Sequence, residues 1–232
     1  MKDIPVLSRD AVREVDRCAI AQYQIPGMVL MENAGRGCAD VLCRLGIDGP
    51  VVICCGKGNN AGDGLVIARH LDLRGYPVRL LFWSDPTELV GDAGKNYYIA
   101  RQAGLSMHTL TDPNDNATLE SCLHEPDWIV DALLGTGARG EPRPPLDLVI
   151  DRLNAHPAKK LAVDVPSGFD CDAGTAATHC FRADHTCTFV AAKTGLVAPG
   201  ASQWVGQLHL LDIGVPRQLL QKFGIDATGA GS

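Results

Sequence analysis

Between Ser8 and Tyr23, Ala11, Val12, Val15, Ala19 and Ile20 recur at helical spacing, and Ser8 stands where an N-cap belongs. This spacing predicts a helix. A second helical pattern runs over 28–45, after Ile25-Pro26-Gly27, and includes Gly35 and Gly37. Two glycines weaken a helix, so their presence calls for an element packed closely against it. From Pro50 onward short apolar runs alternate with helical stretches. Strands are expected at 51–55, 78–83, 128–132, 160–165, 186–190 and 207–212, with a weaker one at 105–109. Helices are expected at 64–74, 92–103, 117–123 and 145–154. Continuous apolar strands separated by helices imply a mostly parallel sheet covered on both faces. The expected class is therefore α/β: a three-layer αβα sandwich with a Rossmann-like, mostly parallel sheet and two N-terminal helices. In such sheets, ligands bind outside the carboxyl ends of the strands.

Composition narrows the picture. The chain has 232 residues, 46% hydrophobic and 21% charged, with the balance of a globular protein. A chain of this length buries about 70% of its unfolded surface, which is enough for one full core. No linker divides it, so a single domain is expected over 1–226, with a flexible tail at 227–232. The 21 Lys and Arg against 27 Asp and Glu give a formal charge of −6 without long runs of either sign, which disfavours a nonspecific grip on nucleic acid. No apolar run approaches the roughly 20 residues of a membrane span, and the N-terminus has no apolar signal core. A soluble, cytoplasmic protein is expected. The 9 cysteines are odd in number, contain no C-x-x-C pair and sit largely in apolar segments, as reduced core residues do. His179, Cys180, His185 and Cys187 lie close in sequence, but their spacing matches no structural zinc pattern.

Four loops at strand ends carry candidate chemistry. The first, Gly56-Lys57-Gly58-Asn59-Asn60-Ala61-Gly62-Asp63-Gly64, joins a strand to a helix and contains G-x-G-x-x-A. Read alone, it fits either a tight βα turn or a cradle of backbone N–H groups for an anion. It lacks the Lys-Ser/Thr pair of a nucleoside-triphosphate loop. The second follows Asp131: Gly135-Thr136-Gly137-Ala138-Arg139-Gly140-Glu141, whose backbone and Arg139 suit a phosphate, or else an ordinary surface loop. In the third, Asp164-Val165-Pro166-Ser167-Gly168, an Asp again ends an apolar strand before a turn. The fourth sets Lys193 at the same rim, where a lone lysine is more often solvated than catalytic. Repetition at the first three strand ends outweighs each case alone.

The stretches Met31-Glu32-Asn33-Ala34-Gly35, Gly58 to Gly64, Asp131-Ala132-Leu133-Leu134-Gly135-Thr136-Gly137, Asp164-Val165-Pro166-Ser167-Gly168 and Ala192-Lys193-Thr194-Gly195-Leu196 together resemble the NAD(P)H-hydrate epimerases, the YjeF N-terminal domain family. The resemblance runs from about Ser8 to Val215. It implies interconversion of the C6 epimers of hydrated NADH or NADPH, which are substrate rather than cofactor. A separate NAD(P)H-hydrate dehydratase then restores the nicotinamide. It also implies substrate binding by Asn59, Asn60, Ala61, Gly62, Asp63, by Gly135, Thr136, Gly137, Ala138, Arg139, Gly140, Glu141, and by Asp164. Potassium would be held by Asn60, Asp131 and Ser167, an all-oxygen set suited to a hard cation, and the protein would be a homodimer joined through its N-terminal helices. The chain is too short for a fused dehydratase, so a standalone epimerase is expected. Ala61 stands where the family usually has Gly, which puts a Cβ near the expected phosphate path, and Ala191-Ala192 stands where Ala-Pro is common. Inversion at C6 needs a proton donor and acceptor, for which Asp164 is the preferred acid/base and Lys193 its partner. Two other readings remain open: an NAD(P)-dependent dehydrogenase using Asp85 on the adenine ribose, and a noncatalytic scaffold of the same fold.

Overall fold

The computed structural model describes residues 4–110 and 116–225; the tail expected at 227–232 lies outside the described residues. The chain opens with a short strand, β1 (Val6–Leu7), then α1 (Arg9–Ala21) and α2 (Gly27–Leu45). The side chain of Ser8 accepts from Ala11 N at 3.2 Å, which satisfies one orphan N–H of α1. β2 (Val51–Cys55), α3 (Asn59–Leu73), β3 (Val78–Phe82), α4 (Gly91–Gln102), β4 (Ser106–Thr109), α5 (Asn116–Cys122), β5 (Trp128–Ala132), α6 (Leu146–Ala155) and β6 (Lys159–Val163) alternate as the hydrophobic rhythm requires. Then come β7 (Phe169–Asp170), β8 (Thr175–Ala176), β9 (His185–Phe189), β10 (Ala192–Lys193), α7 (Ser202–Val205), β11 (Gln207–Leu211) and α8 (Arg217–Lys222).

Seven strands form one parallel sheet in the order β11-β9-β6-β5-β2-β3-β4. The chain leaves β2 toward one edge and returns through β5 toward the other, so β2 and β5 flank a topological switch point, where a crevice opens at the carboxyl ends. Alternation in β2 divides the core: Val51, Ile53 and Cys55 enter one apolar cluster with α1 to α4 and α8, whereas Val52 and Cys54 enter another with α5 and α6. That division produces the three layers.

Several expectations need correction. α3 starts at Asn59, five residues earlier than its apolar period suggested, because Asn and Gly are weak helix formers and hid its first turns. β6 and β9 stop at Val163 and Phe189 rather than at 165 and 190, since Asp164 and Val190 take positive φ angles of 67° and 68°. In α1, Ile20 is 46% exposed while Cys18 is buried in its place. The pairs β1·β10, with Leu7 opposite Lys193, and β7·β8 are two-residue ladders too short to leave a pattern. None of the nine cysteines is joined in a disulfide. His179 bonds Asp151 at 2.8 Å and His185 bonds His209 at 3.0 Å, and no cluster suited to a metal by His, Cys, Asp and Glu occurs among the described residues. No helix among those residues is long and apolar enough to cross a membrane.

The two α2 glycines differ. A Cβ at Gly35 would lie 2.5 Å from Val66 Cβ and 2.9 Å from Asp63 O, whereas one at Gly37 would meet only the Leu211 side chain, at 3.1 Å. Gly35→Ala is therefore expected to destabilise the fold by about 1–3 kcal/mol through overpacking. Gly37→Ala should be near neutral, because a helix propensity gain of about 1 kcal/mol offsets a small side-chain shift. Denaturant midpoints of the two variants check the contrast.

Candidate functional site

A cleft of about 1150 Å³ opens along the carboxyl ends of the sheet. The loop after β2 and the N-terminus of α3 form one wall, and all seven residues from Gly135 to Glu141, after β5, line another. The helix brings backbone N–H groups and a positive dipole end to the cleft, a ready-made setting for an anion. Asn59, Asn60 and Asp63 line it, but Ala61 and Gly62 do not. Helical periodicity is the reason: Ala61 is fully buried in the larger apolar cluster, and a Cβ at Gly62 would meet Met31 Sδ at 2.6 Å. The Cβ of Ala61 thus points into the core and not toward the cleft.

Asp131, the penultimate residue of β5, is completely buried. Its Oδ2 accepts from Ser167 N at 2.7 Å, and its Oδ1 accepts from Ser167 Oγ at 2.7 Å and Leu133 N at 3.1 Å. Burial pushes this carboxyl up to about 6, against the opposing pull of those hydrogen bonds. Leu134 N donates to Ser167 Oγ at 2.9 Å, and a Cβ on the next residue, Gly135, would lie 3.4 Å from Asn60 Oδ1. The structure thus gathers Asn60, Asp131 and Ser167 around one turn, where Asn60 Nδ2 is buried without a hydrogen-bond partner.

Asp164 and Lys193 meet across two strand ends. Val165 N donates to Val163 O at 2.8 Å and Ala191 N to Phe189 O at 2.7 Å, so Asp164 and Val190 each centre a γ-turn of the rare positive-φ kind. Such turns cost about 1–3 kcal/mol each and persist only where their surroundings impose them. Here they re-aim the chain so that Lys193, only 1% exposed, donates to Asp164 Oδ1 and, at 2.8 Å, to Thr188 Oγ1. A buried ammonium requires such neutralisation.

Helix α1 holds the second loop from outside the sheet. Arg13 donates to Thr136 O at 2.9 Å, and the buried Arg9 reaches Ala138 O at 3.4 Å while ion-pairing with Asp170 and Asp172, both at 3.1 Å. At the loop's far end Glu141 accepts from Thr178 N and Oγ1 at 3.0 Å, bonds that hold its carboxyl below the usual range. Glu141 is thereby committed to the protein itself. Asp85 is engaged too: it accepts from Thr87 N at 2.9 Å and caps the 3₁₀ turn that follows. Sequence reasoning missed Asp16, which lines the cleft from α1, and the two arginine tethers. On a charged amphipathic helix these residues look solvated, and only the closed fold distinguishes them.

A parallel sheet whose central carboxyl ends feed a helix N-terminus and a glycine-rich loop around one cleft, with the ion pair of the buried Lys193 and the partly exposed Asp164 beside them, defines a doubly wound α/β protein. The particular family follows from comparison. Residues 27–195 match the family described as YjeF-related protein N-terminus, and the chain belongs to it. It is 46% identical to an NAD(P)H-hydrate epimerase of Pirellula staleyi over 96% of this chain and 97% of that one. A second NAD(P)H-hydrate epimerase, from Rhodopirellula baltica, is 41% identical over 96% of this chain and 89% of its own. A bifunctional NAD(P)H-hydrate repair enzyme of Salinibacter ruber is 39% identical over 94% of this chain but only 42% of its own length. The crystal structure of the yeast protein ynu0 shares the fold, with a TM-score of 0.80 at 25% identity, covering 98% of this chain and 96% of that one.

The Asp164–Lys193 pair makes a stability prediction. Lys193→Met leaves a carboxylate without its partner and is expected to cost about 3–5 kcal/mol. Adding Asp164→Asn should recover part of that loss, because the stranded charge is gone. Thermal melts of the single and double variants measure the coupling, and strictly additive effects would contradict it.

Proposed function

We infer that this protein acts as an NAD(P)H-hydrate epimerase, interconverting the C6 epimers of hydrated NADH or NADPH without net redox change. The observation behind this reading is the likeness, over nearly the whole of both chains, to relatives that bear that name. The cleft agrees with it: a helix N-terminus and a glycine-rich loop suit the substrate's phosphates, and an acid–base pair lies at the adjoining strand ends. In this reading Asn59, Asn60 and Asp63 on α3 and Gly135 to Arg139 on the second loop orient the dinucleotide. Asp164 exchanges a proton with the reacting ring, and Lys193 fixes its direction and charge. The product epimer passes to a dehydratase, the class of reaction that eliminates the added water. In this reading we assign the protein to the cytoplasm, as a homodimer joined through the N-terminal helices.

Potassium belongs to the same proposal. Asn60, Asp131 and Ser167 offer an amide, a carboxylate and a hydroxyl around one turn, an all-oxygen set of the kind hard cations take. Bound there, the ion would neutralise the buried Asp131 and stiffen the loop beside the substrate.

Two measurements test these assignments. Asp164→Asn keeps the shape of the side chain and most of the binding but cannot shuttle a proton. Turnover should fall by about 10²–10⁴-fold with hydrate affinity retained. A well-folded variant that epimerises at the wild-type rate removes Asp164 from the chemistry. For the cation, potassium should raise the melting temperature of the wild type and not that of Asp131→Ala; an unmoved wild type defeats the metal assignment.

A further inference from the structure

The charged residues of α1 are nearly all satisfied. Glu14 accepts from Arg17 at 2.7 Å, Arg13 holds Thr136 O, and Arg9 holds Asp170 and Asp172. Asp16 differs: it lines the cleft, and its Oδ1 is buried without a hydrogen-bond partner. Buried carboxylate oxygens are normally paired, so an orphan at a cleft wall needs a role. Asp164 after β6, Lys193 from β10 and Asp63 from α3 line the same cleft as Asp16, and their charges couple to it. That is one ammonium among three carboxylates, and the ammonium is already held by Asp164 and Thr188. Full ionisation would leave two uncompensated charges beside an anionic substrate.

We propose that Asp16 is a second proton-carrying group of the cleft, presenting a neutral carboxylic acid to the C6 hydroxyl of the bound hydrate from α1, while Asp164 attends the same carbon from the sheet rim. The proposal rests on the epimerase reading and deepens it. Inversion at C6 removes an oxygen from one face of the ring and installs one on the other, a task suited to two groups on different walls. Asp16 gives its proton to the hydroxyl and the C6–O bond breaks. Water leaves, and the nitrogen lone pair of the ring stabilises the cation at C6. Water then adds to the opposite face, and Asp164 takes the proton that it releases. One proton has moved from Asp16 to Asp164, and solvent returns it before the next turnover. The electrostatics agree, since burial and the neighbouring Asp164 push Asp16 up to about 6, with Lys193 opposing.

A general acid must be protonated to act, so kcat/KM of the wild type, corrected for the uncatalysed reaction, is expected to fall as pH rises through about 6. Asp16→Asn should lose about 10²–10⁴-fold at the acid end and lack that limb of the profile. Its fold should not suffer. A carboxyl raised in the native state destabilises as it ionises, so at pH above about 6 the Asn variant should melt no lower than the wild type. Carbon NMR titration, with Asp16 assigned by difference from Asp16→Asn, should place its midpoint above the ordinary aspartate range. An Asp16→Asn enzyme with the wild-type rate and pH profile overturns the proposal while leaving the epimerase reading intact. A wild type that does not accelerate epimerisation defeats the reading itself.

Discussion

Lys193 has to be neutralised where it stands. It is 1% exposed at the sheet rim, and only Asp164 and Thr188 among the described residues receive its hydrogen bonds. Much of the surrounding architecture serves that pairing. Two positive-φ γ-turns lift Asp164 and Val190 out of their strands, β6 and β9 lie side by side so that the turns are neighbours, and β1 clamps the segment bearing the lysine. The clamp spans nearly the whole chain: Ala192 N donates to Pro5 O at 2.9 Å and Thr194 Oγ1 to Leu7 O at 3.3 Å. Backbone strain of this kind is concentrated where the fold over-determines a side chain's direction, and here that direction sets the position of the proposed acid/base group, Asp164.

The same clamp leads directly into α1. Residues 9 and 13 of that helix fasten the loop from Gly135 to Glu141, while its Val12, Val15, Cys18 and Ala19 are buried in the larger apolar cluster. Attachment and orientation thus have different sources. The apolar seam holds the helix against the sheet, and the arginines bond the Thr136 and Ala138 carbonyls of the loop. Without the arginines the seam would still hold, but a glycine-rich loop has little of its own to fix its shape.

Most of the sheet was legible in the sequence because strands buried on both faces leave continuous apolar runs, as Val51–Cys55 and Trp128–Ala132 do. The candidate site was legible through its motifs: Asp131 near the end of β5, and Asp164 and Ser167 in the turn after β6, fall on one rim of the parallel sheet, and Lys193 on β10 hydrogen-bonds Asp164 there. What escaped was non-periodic. The first turns of α3 are written in Asn and Gly, and β1 and β10 are two residues long. Period alone puts Ile20 inside, whereas Cys18 takes the buried position. Asp16 has no local signature at all, since Arg13, Glu14 and Arg17 around it make a solvated face the natural reading.

Convergence of such distant segments follows from topology rather than from any local code. In an all-parallel sheet every carboxyl end points the same way, so residues 36 apart, such as Asp131 and Ser167, become hydrogen-bonded neighbours without any special loop design. Only groups absent from the sheet need a separate device, and α1 with its flanking strand is that device, tying Arg9 to Asp170 across 161 residues. The sheet alone would present Asp164 on an open rim, without the β1·β10 ladder that carries Lys193 to it. The helix closes the rim into a cleft, and by closing it removes water from the carboxylates it covers. That desolvation raises Asp16 and Asp63 above the usual carboxylate range, which an open rim would not do.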